Sequence, residues 1–178
     1  KESQQEFLDF MGVSKDDPRR QREGVYASHD YNLPFGKIKV IVLDTRYFRT
    51  ALTPDTETDK RTKPNEYGEG TVLGETQWKW LENTLKSSKA NFNVIVSSIQ
   101  VLSNEHGFEC WGNFPHEVDK LESLITNSKA KGVLVDRGQD YYLNYNDSRS
   151  FRLGFAYVPV SKLEAGVEII ANEVKAML

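Results

Sequence analysis

An α/β fold with a parallel sheet follows from three features of the sequence. The run Val40-Ile41-Val42-Leu43 is continuous and apolar, as a strand covered on both faces is, and segment 92–98, built on Val94-Ile95-Val96, is a second strand. Segments 75–86 and 115–126 carry apolar residues at helical spacing. Each crossover is also long enough to return the chain for parallel pairing. With 132–135 as a third strand, strands 37–43, 92–98 and 132–135 are expected in one sheet, with both helices packed on it.

The bulk numbers bound the rest. The chain has 178 residues, 38% of them hydrophobic and 28% charged, which fits a single domain, or a large part of one, over 1–178. A net charge of -3 gives no nucleic-acid footprint. The basic clusters Arg19, Arg20, Arg22 and Lys60, Arg61, Lys63 read as solvated loops. One cysteine excludes a disulfide within the chain, and Cys110 beside Trp111 reads as a small buried hydrophobe. No apolar run approaches the length that crosses a membrane. The chain begins at Lys1 rather than Met, so it is expected to be a processed or partial product, with its compartment left open.

The elements are justified in order. Residues 2–11 form a short helix with Phe7, Leu8 and Met11 on one side, stopped by Gly12. Pro18 forbids helix in the turn that follows. Residues 25–31 alternate weakly, as a strand does, and His29 there is more often a hydrogen-bonded structural residue than a ligand. Strand 37–43 ends in Asp44-Thr45-Arg46, a charged pair that serves equally as a site or as a structural ion pair. Residues 50–72, poor in apolar side chains, read as a long mobile surface loop. Gly74 suits the start of helix 75–86, whose Trp78, Leu81 and Leu85 share a core face, with acid first and lysine last for the dipole.

After strand 92–98 the polar residues Ser98, Gln100, Ser103 and Asn104 gather, and His106, Glu109, Trp111 and Asn113 follow in a long loop. Pro115 takes the first turn of a helix that turns Val118, Leu121, Leu124 and Ile125 inward. The third strand runs into Asp136-Arg137-Gly138. Asn146-Asp147-Ser148 is a glycosylation sequon of a kind frequent by chance. From Ser161 on, Leu163, Val167, Ile170 and Val174 favour a helix, with a strand around Gly166 as the alternative. There is no phosphate-binding glycine loop, CxxC pair, HExxH helix or GxSxG elbow, and the three histidines have no metal-ligand spacing.

Four ordered motifs carry a family resemblance: Leu43-Asp44-Thr45-Arg46, LGETQWKWL from Leu73, VIVSSIQVLS from Val94, and WGNFPHEVDKL from Trp111. Together with the opening FLDFMGVSKDDPRRQREGVYAS, they resemble the PhoD-type metallophosphatases, the alkaline phosphatase D family, most strongly over residues 1–135. The resemblance implies the C-terminal part of a catalytic domain on a calcineurin-like αββα sandwich. It also implies a metal-dependent phosphomonoesterase or phosphodiesterase acting on a small phosphoester. Iron, calcium, manganese or magnesium would be held by hard Asp, His and Asn donors, and would generate a hydroxide nucleophile.

The resemblance places the family's acidic metal motifs ahead of Lys1, and a Ser-Gly-Asp-x-His motif after the third strand. Here that second position reads Asp136-Arg137-Gly138-Gln139-Asp140. Asp136 is thus the one metal ligand carried over, with Arg46, Gln100, Trp111 and Arg137 as substrate-side candidates. One carboxylate does not hold a metal pair, so activity of this chain alone is expected to be absent or weak. The alternatives are a non-catalytic relative or splice product serving as a binding or scaffold module, and an unrelated α/β domain.

Overall fold

The computed structural model of the chain describes residues 2–34, 36–101, 106–128 and 133–134. The elements run α1 (Glu2–Phe10), a 3-10 turn (Pro18–Arg20), β1 (Ala27–Leu33), β2 (Gly36–Val42), β3 (Thr53–Pro54), β4 (Thr62–Lys63), α2 (Gly74–Ser87), β5 (Phe92–Val96), a second 3-10 turn (Trp111–Asn113), α3 (Pro115–Asn127) and β6 (Val133–Leu134). The main sheet has the order β1-β2-β5-β6. Strand β5 pairs in parallel with β2, Ile41 opposite Ile95, and in parallel with β6, Val94 opposite Leu134. The three expected strands therefore share one sheet. The weakly alternating segment forms β1, antiparallel to β2 with Leu33 opposite Gly36.

Helices α2 and α3 bury one face of this sheet. Ile41, Leu43 and Ile95 meet Trp78, Leu81, Leu85, Trp111, Phe114 and Leu121 in a single core cluster. Val118, Leu124 and Ile125 pack against it half-buried. Burial of this kind contributes about 1.5–3 kcal/mol per large apolar side chain, so this one layer carries most of the stabilisation. The continuous apolar strands are covered less fully than expected. Along β5 only Asn93 and Ile95 are buried, while Phe92, Val94 and Val96 on the other face are half-exposed. Trp78 is a core residue, whereas Trp80 is half-buried beside the Tyr26 ring, 4.7 Å away between centroids.

Three expectations are corrected. Helix α1 turns inward Gln4 and Leu8, and leaves Phe7 and Met11 exposed. Its orientation is set by Gln4, whose Nε2 donates to the carbonyls of Arg19 (2.6 Å) and Arg22 (2.9 Å). Strand β5 stops at Val96 because Ser97 Oγ turns to donate to the Ile99 carbonyl at 2.7 Å. The loop after β2 contains the β3–β4 hairpin, and its end is built in, with Val72 and Leu73 wholly buried. Gly74 then opens α2 with φ +66, and a Cβ there would stand 2.9 Å from Phe48 Cβ, so only glycine suits this entry.

Candidate functional site

The carboxyl ends of β2 and β5 lie side by side, and the segments leaving them form the candidate site. Parallel pairing dictates this, because both strands point their C-termini to the same edge. Leu43 N–H still donates to the Val96 carbonyl at 2.9 Å, so the two chains part together. Just beyond, the Thr45 and Ser98 hydroxyls are 2.5 Å apart.

Asp44 organises the turn that follows. Its side chain is buried, and it accepts from three backbone amides, those of Val25, Arg46 and Tyr47, each at 2.9 Å. Fixing the amides of residues 46 and 47 sets where the Arg46 side chain leaves the backbone. The main chain of Asp44 is held in turn by Gln77 of α2. Gln77 Oε1 accepts from Asp44 N–H and Gln77 Nε2 donates to the Asp44 carbonyl, both at 2.8 Å. A buried amide paired both ways satisfies two backbone groups that a strand end would otherwise leave open.

The loop before α3 is built the same way. Trp111 N–H donates to the Gln100 carbonyl at 2.8 Å, and its indole N–H donates to Ser97 Oγ at 3.0 Å. Asn113 is buried; its Oδ1 accepts from Cys110 N–H (2.9 Å) and its Nδ2 donates to Thr62 Oγ1 (3.1 Å), tying the hairpin down. Glu117, 4% exposed, accepts four donors. Thr71 Oγ1 (2.6 Å) and Trp78 Nε1 (2.8 Å) reach its Oε1, while Val72 N–H (2.6 Å) and Leu73 N–H (3.3 Å) reach its Oε2. Cys110 is buried too, and burial pushes its thiol up from the usual range. It is a structural side chain rather than a thiolate nucleophile.

The sequence-derived candidates fall out as follows. Arg46 is exposed at the strand end and paired with Glu109. Gln100 is half-buried and joins Trp111 through its carbonyl. Trp111 is fully buried, its ring edge-on to Trp78 in the core. The segments bearing Arg46, Gln100 and Trp111 thus meet at one edge of the sheet, with the Trp111 ring turned into the core. Asp136 and Arg137 lie outside the described residues, as do Ser103, Asn104, the Asn146 sequon and the helix expected from Ser161.

Sequence reasoning missed Gln77, Glu117 and Arg49, and named Glu109 only as a polar residue of the long loop. For the first two a signal existed. Leu73, Gln77, Leu81 and Leu85 recur every four residues, and Glu117 precedes Leu121 by four, so both polar groups stand on apolar helix faces. A polar residue on such a face needs a buried partner.

The described residues do not fit a resident metal. Among them no group of three or more His, Cys, Asp or Glu side chains is placed to share an ion. The carboxylates around the site are already engaged: Asp44 by three amides, Glu117 by four donors and Glu109 by the Arg46 and Arg49 guanidiniums. No catalytic step through a metal is therefore derived from these residues.

An open sheet, parallel across β2, β5 and β6 and closed at one side by the antiparallel β1, with polar loops at its carboxyl edge, defines an α/β layer. The comparisons with known proteins are narrower. The family profile of the PhoD-like phosphatases matches residues 1–139, and the chain belongs to that family. The solved structure of PhoD superposes with a TM-score of 0.56 at 23% identity, covering 74% of this chain and 26% of that one. That likeness establishes the fold as part of a calcineurin-like metallophosphatase fold. A stretch of 87 residues, 49% of this chain, is 25% identical to aromatic-amino-acid aminotransferase 1 of Thermococcus litoralis and spans 21% of that protein. The chain thus covers about a fifth of that curated relative and about a quarter of the PhoD structure.

Proposed function

We propose that this chain is part of a metal-dependent phosphoester hydrolase acting on small phosphomonoesters or phosphodiesters. In this reading the described residues supply the frame and the substrate-side edge, and the metal cage is built by residues outside them. The observation that carries it is the joined carboxyl edge of β2 and β5, where the Thr45 and Ser98 hydroxyls touch and Arg46 stands exposed beside them. Ends of parallel strands are where such sheets bind ligands. Asp136 and Arg137 are the chain's own candidates for a metal ligand and a phosphate contact; iron, calcium, manganese or magnesium is the class of ion that hard oxygen donors favour.

The test is hydrolysis of p-nitrophenyl phosphate and bis-p-nitrophenyl phosphate by the purified chain, with and without added manganese or calcium. Turnover should be absent or very weak, because a two-metal site needs several fixed carboxylates and imidazoles. Metal-dependent hydrolysis at enzyme-like rates, abolished by Asp136→Ala, would keep the hydrolase assignment and defeat the expectation that the metal site is incomplete in this chain alone.

The second reading, a non-catalytic scaffold, is favoured by one observation: Asp44, Asn113 and Glu117 in the resemblance motifs are spent on structural hydrogen bonds. The gene sequence ahead of Lys1 separates the two. An acidic metal motif there supports the hydrolase, and its absence supports the scaffold.

A further inference from the structure

Glu109 bridges two arginines that leave the same short loop after β2. Its Oε2 accepts from Arg46 Nη1 at 2.5 Å. Its Oε1 lies 2.8 Å from Arg49 Nε, an ion pair too oblique to be a directed hydrogen bond. The exposures grade sharply: the Arg46 side chain is 65% exposed, that of Glu109 20% and that of Arg49 18%. An outer, solvent-facing guanidinium and an inner, sheltered one therefore share a single carboxylate. The trio keeps a formal charge of +1, and one of its two contacts has good distance but poor direction.

Two guanidiniums turned on one carboxylate present what a phosphoryl group takes. Each oxygen of the carboxylate meets a different fork, as two phosphoryl oxygens would, and a guanidinium binds either anion by charge-assisted hydrogen bonds. A phosphoryl dianion carries twice the charge of the carboxylate it would replace. The site also stands at the sheet edge where ligands of such folds bind.

We propose that Arg46 and Arg49 form a binding fork for the phosphoryl group of a small phosphoester, closed in this structure by the Glu109 carboxylate. The phosphoryl oxygens displace Glu109 from the two guanidiniums, and Glu109 turns to solvent. The root of Arg46 does not move, because Asp44 holds its amide at 2.9 Å; only its exposed side chain adjusts. The inference rests on the reading of this edge as the substrate side, and adds Arg49 and Glu109 to it.

The experiment is calorimetric titration of inorganic phosphate into the whole chain, in EDTA at fixed ionic strength, with chloride as the control anion. Glu109→Gln keeps the shape and removes the competing charge. It should tighten phosphate about tenfold, the worth of one charge-assisted hydrogen bond. Adding Arg46→Gln to that variant should undo the gain. Phosphate binding unchanged or weakened by Glu109→Gln in a folded protein would overturn the fork, and so would a gain that survives Arg46→Gln. If Glu109→Gln does not fold, the exposed single variant Arg46→Gln decides. A several-fold loss of phosphate binding supports the fork, and unchanged binding overturns it. Turnover and metal play no part in this measurement, so a failed fork leaves the hydrolase reading standing, and an inactive chain leaves the fork standing.

Discussion

Glu117 is the most heavily bonded side chain of the described residues near the site, and replacing it tests the frame directly. In Glu117→Gln the new amide nitrogen faces donors on whichever side it takes. Toward Val72 and Leu73 it would oppose two backbone N–H groups. Toward Thr71 and Trp78 it opposes one indole N–H, since the Thr71 hydroxyl can accept instead. The second placement costs less and is the one expected. One buried N–H then loses its partner, and the bonds that remain lose their charge assistance. At about 1–3 kcal/mol for an unmet buried donor, Glu117→Gln should cost roughly 2–3 kcal/mol. Glu117→Ala strands all four donors, one of them already long at 3.3 Å, and should cost roughly 4 kcal/mol or more. Urea unfolding followed by tryptophan fluorescence measures both, since Trp78 is itself a partner. A loss below about 1 kcal/mol for Glu117→Ala, or a Gln variant worse than the Ala one, would refute the hydrogen-bond reasoning.

Three more outcomes follow from the same structure. Gln77→Ala leaves the Asp44 amide and carbonyl buried without partners and should cost about 2–3 kcal/mol in the same unfolding assay; Gln77→Glu, which accepts but cannot donate, should not restore it. The Asp17 carboxyl is held well below the usual carboxylate range, first by the Arg19 side chain and then by the Arg19 amide. Its folded value lies below its unfolded one, so its contribution is present at neutral pH and is lost as pH falls below about 4. Melting temperatures of wild type and Asp17→Ala should therefore converge on acidification, and a gap that widened would sink the idea. The buried Cys110, with its thiol pushed up, should react with a thiol reagent only in step with global unfolding; rapid labelling of native protein would contradict that burial.

Much of the architecture is legible without coordinates. Apolar runs at 40–43 and 92–96 and the helical periodicity of 74–87 and 115–127 are local signals, so the strands, the helices and their parallel order follow from short windows of sequence. Once the strands are parallel, Arg46 and Gln100 must leave at the same edge, and that too was readable. The direction of Trp111 was not, because an aromatic in a polar loop reads equally as a ligand platform or a core plug. Ser97 decides it by accepting the indole N–H. The inward face of α1 was misread for a similar reason. Its apolar residues suggested one stripe, whereas Gln4 reached carbonyls 15 and 18 residues away and set another.

By itself, then, the sequence determined that the three apolar strands share one parallel sheet and the family to which its motifs belong, because periodicity and apolar runs act between neighbours in the chain. Only the tertiary structure decided what the motif residues do. Gln77 meets Asp44 across 33 positions, Glu117 meets Trp78 across 39, and Arg46 meets Glu109 across 63. A buried donor or acceptor must find a partner, but which one it finds depends on how distant segments are brought together by packing, and no local pattern encodes that choice.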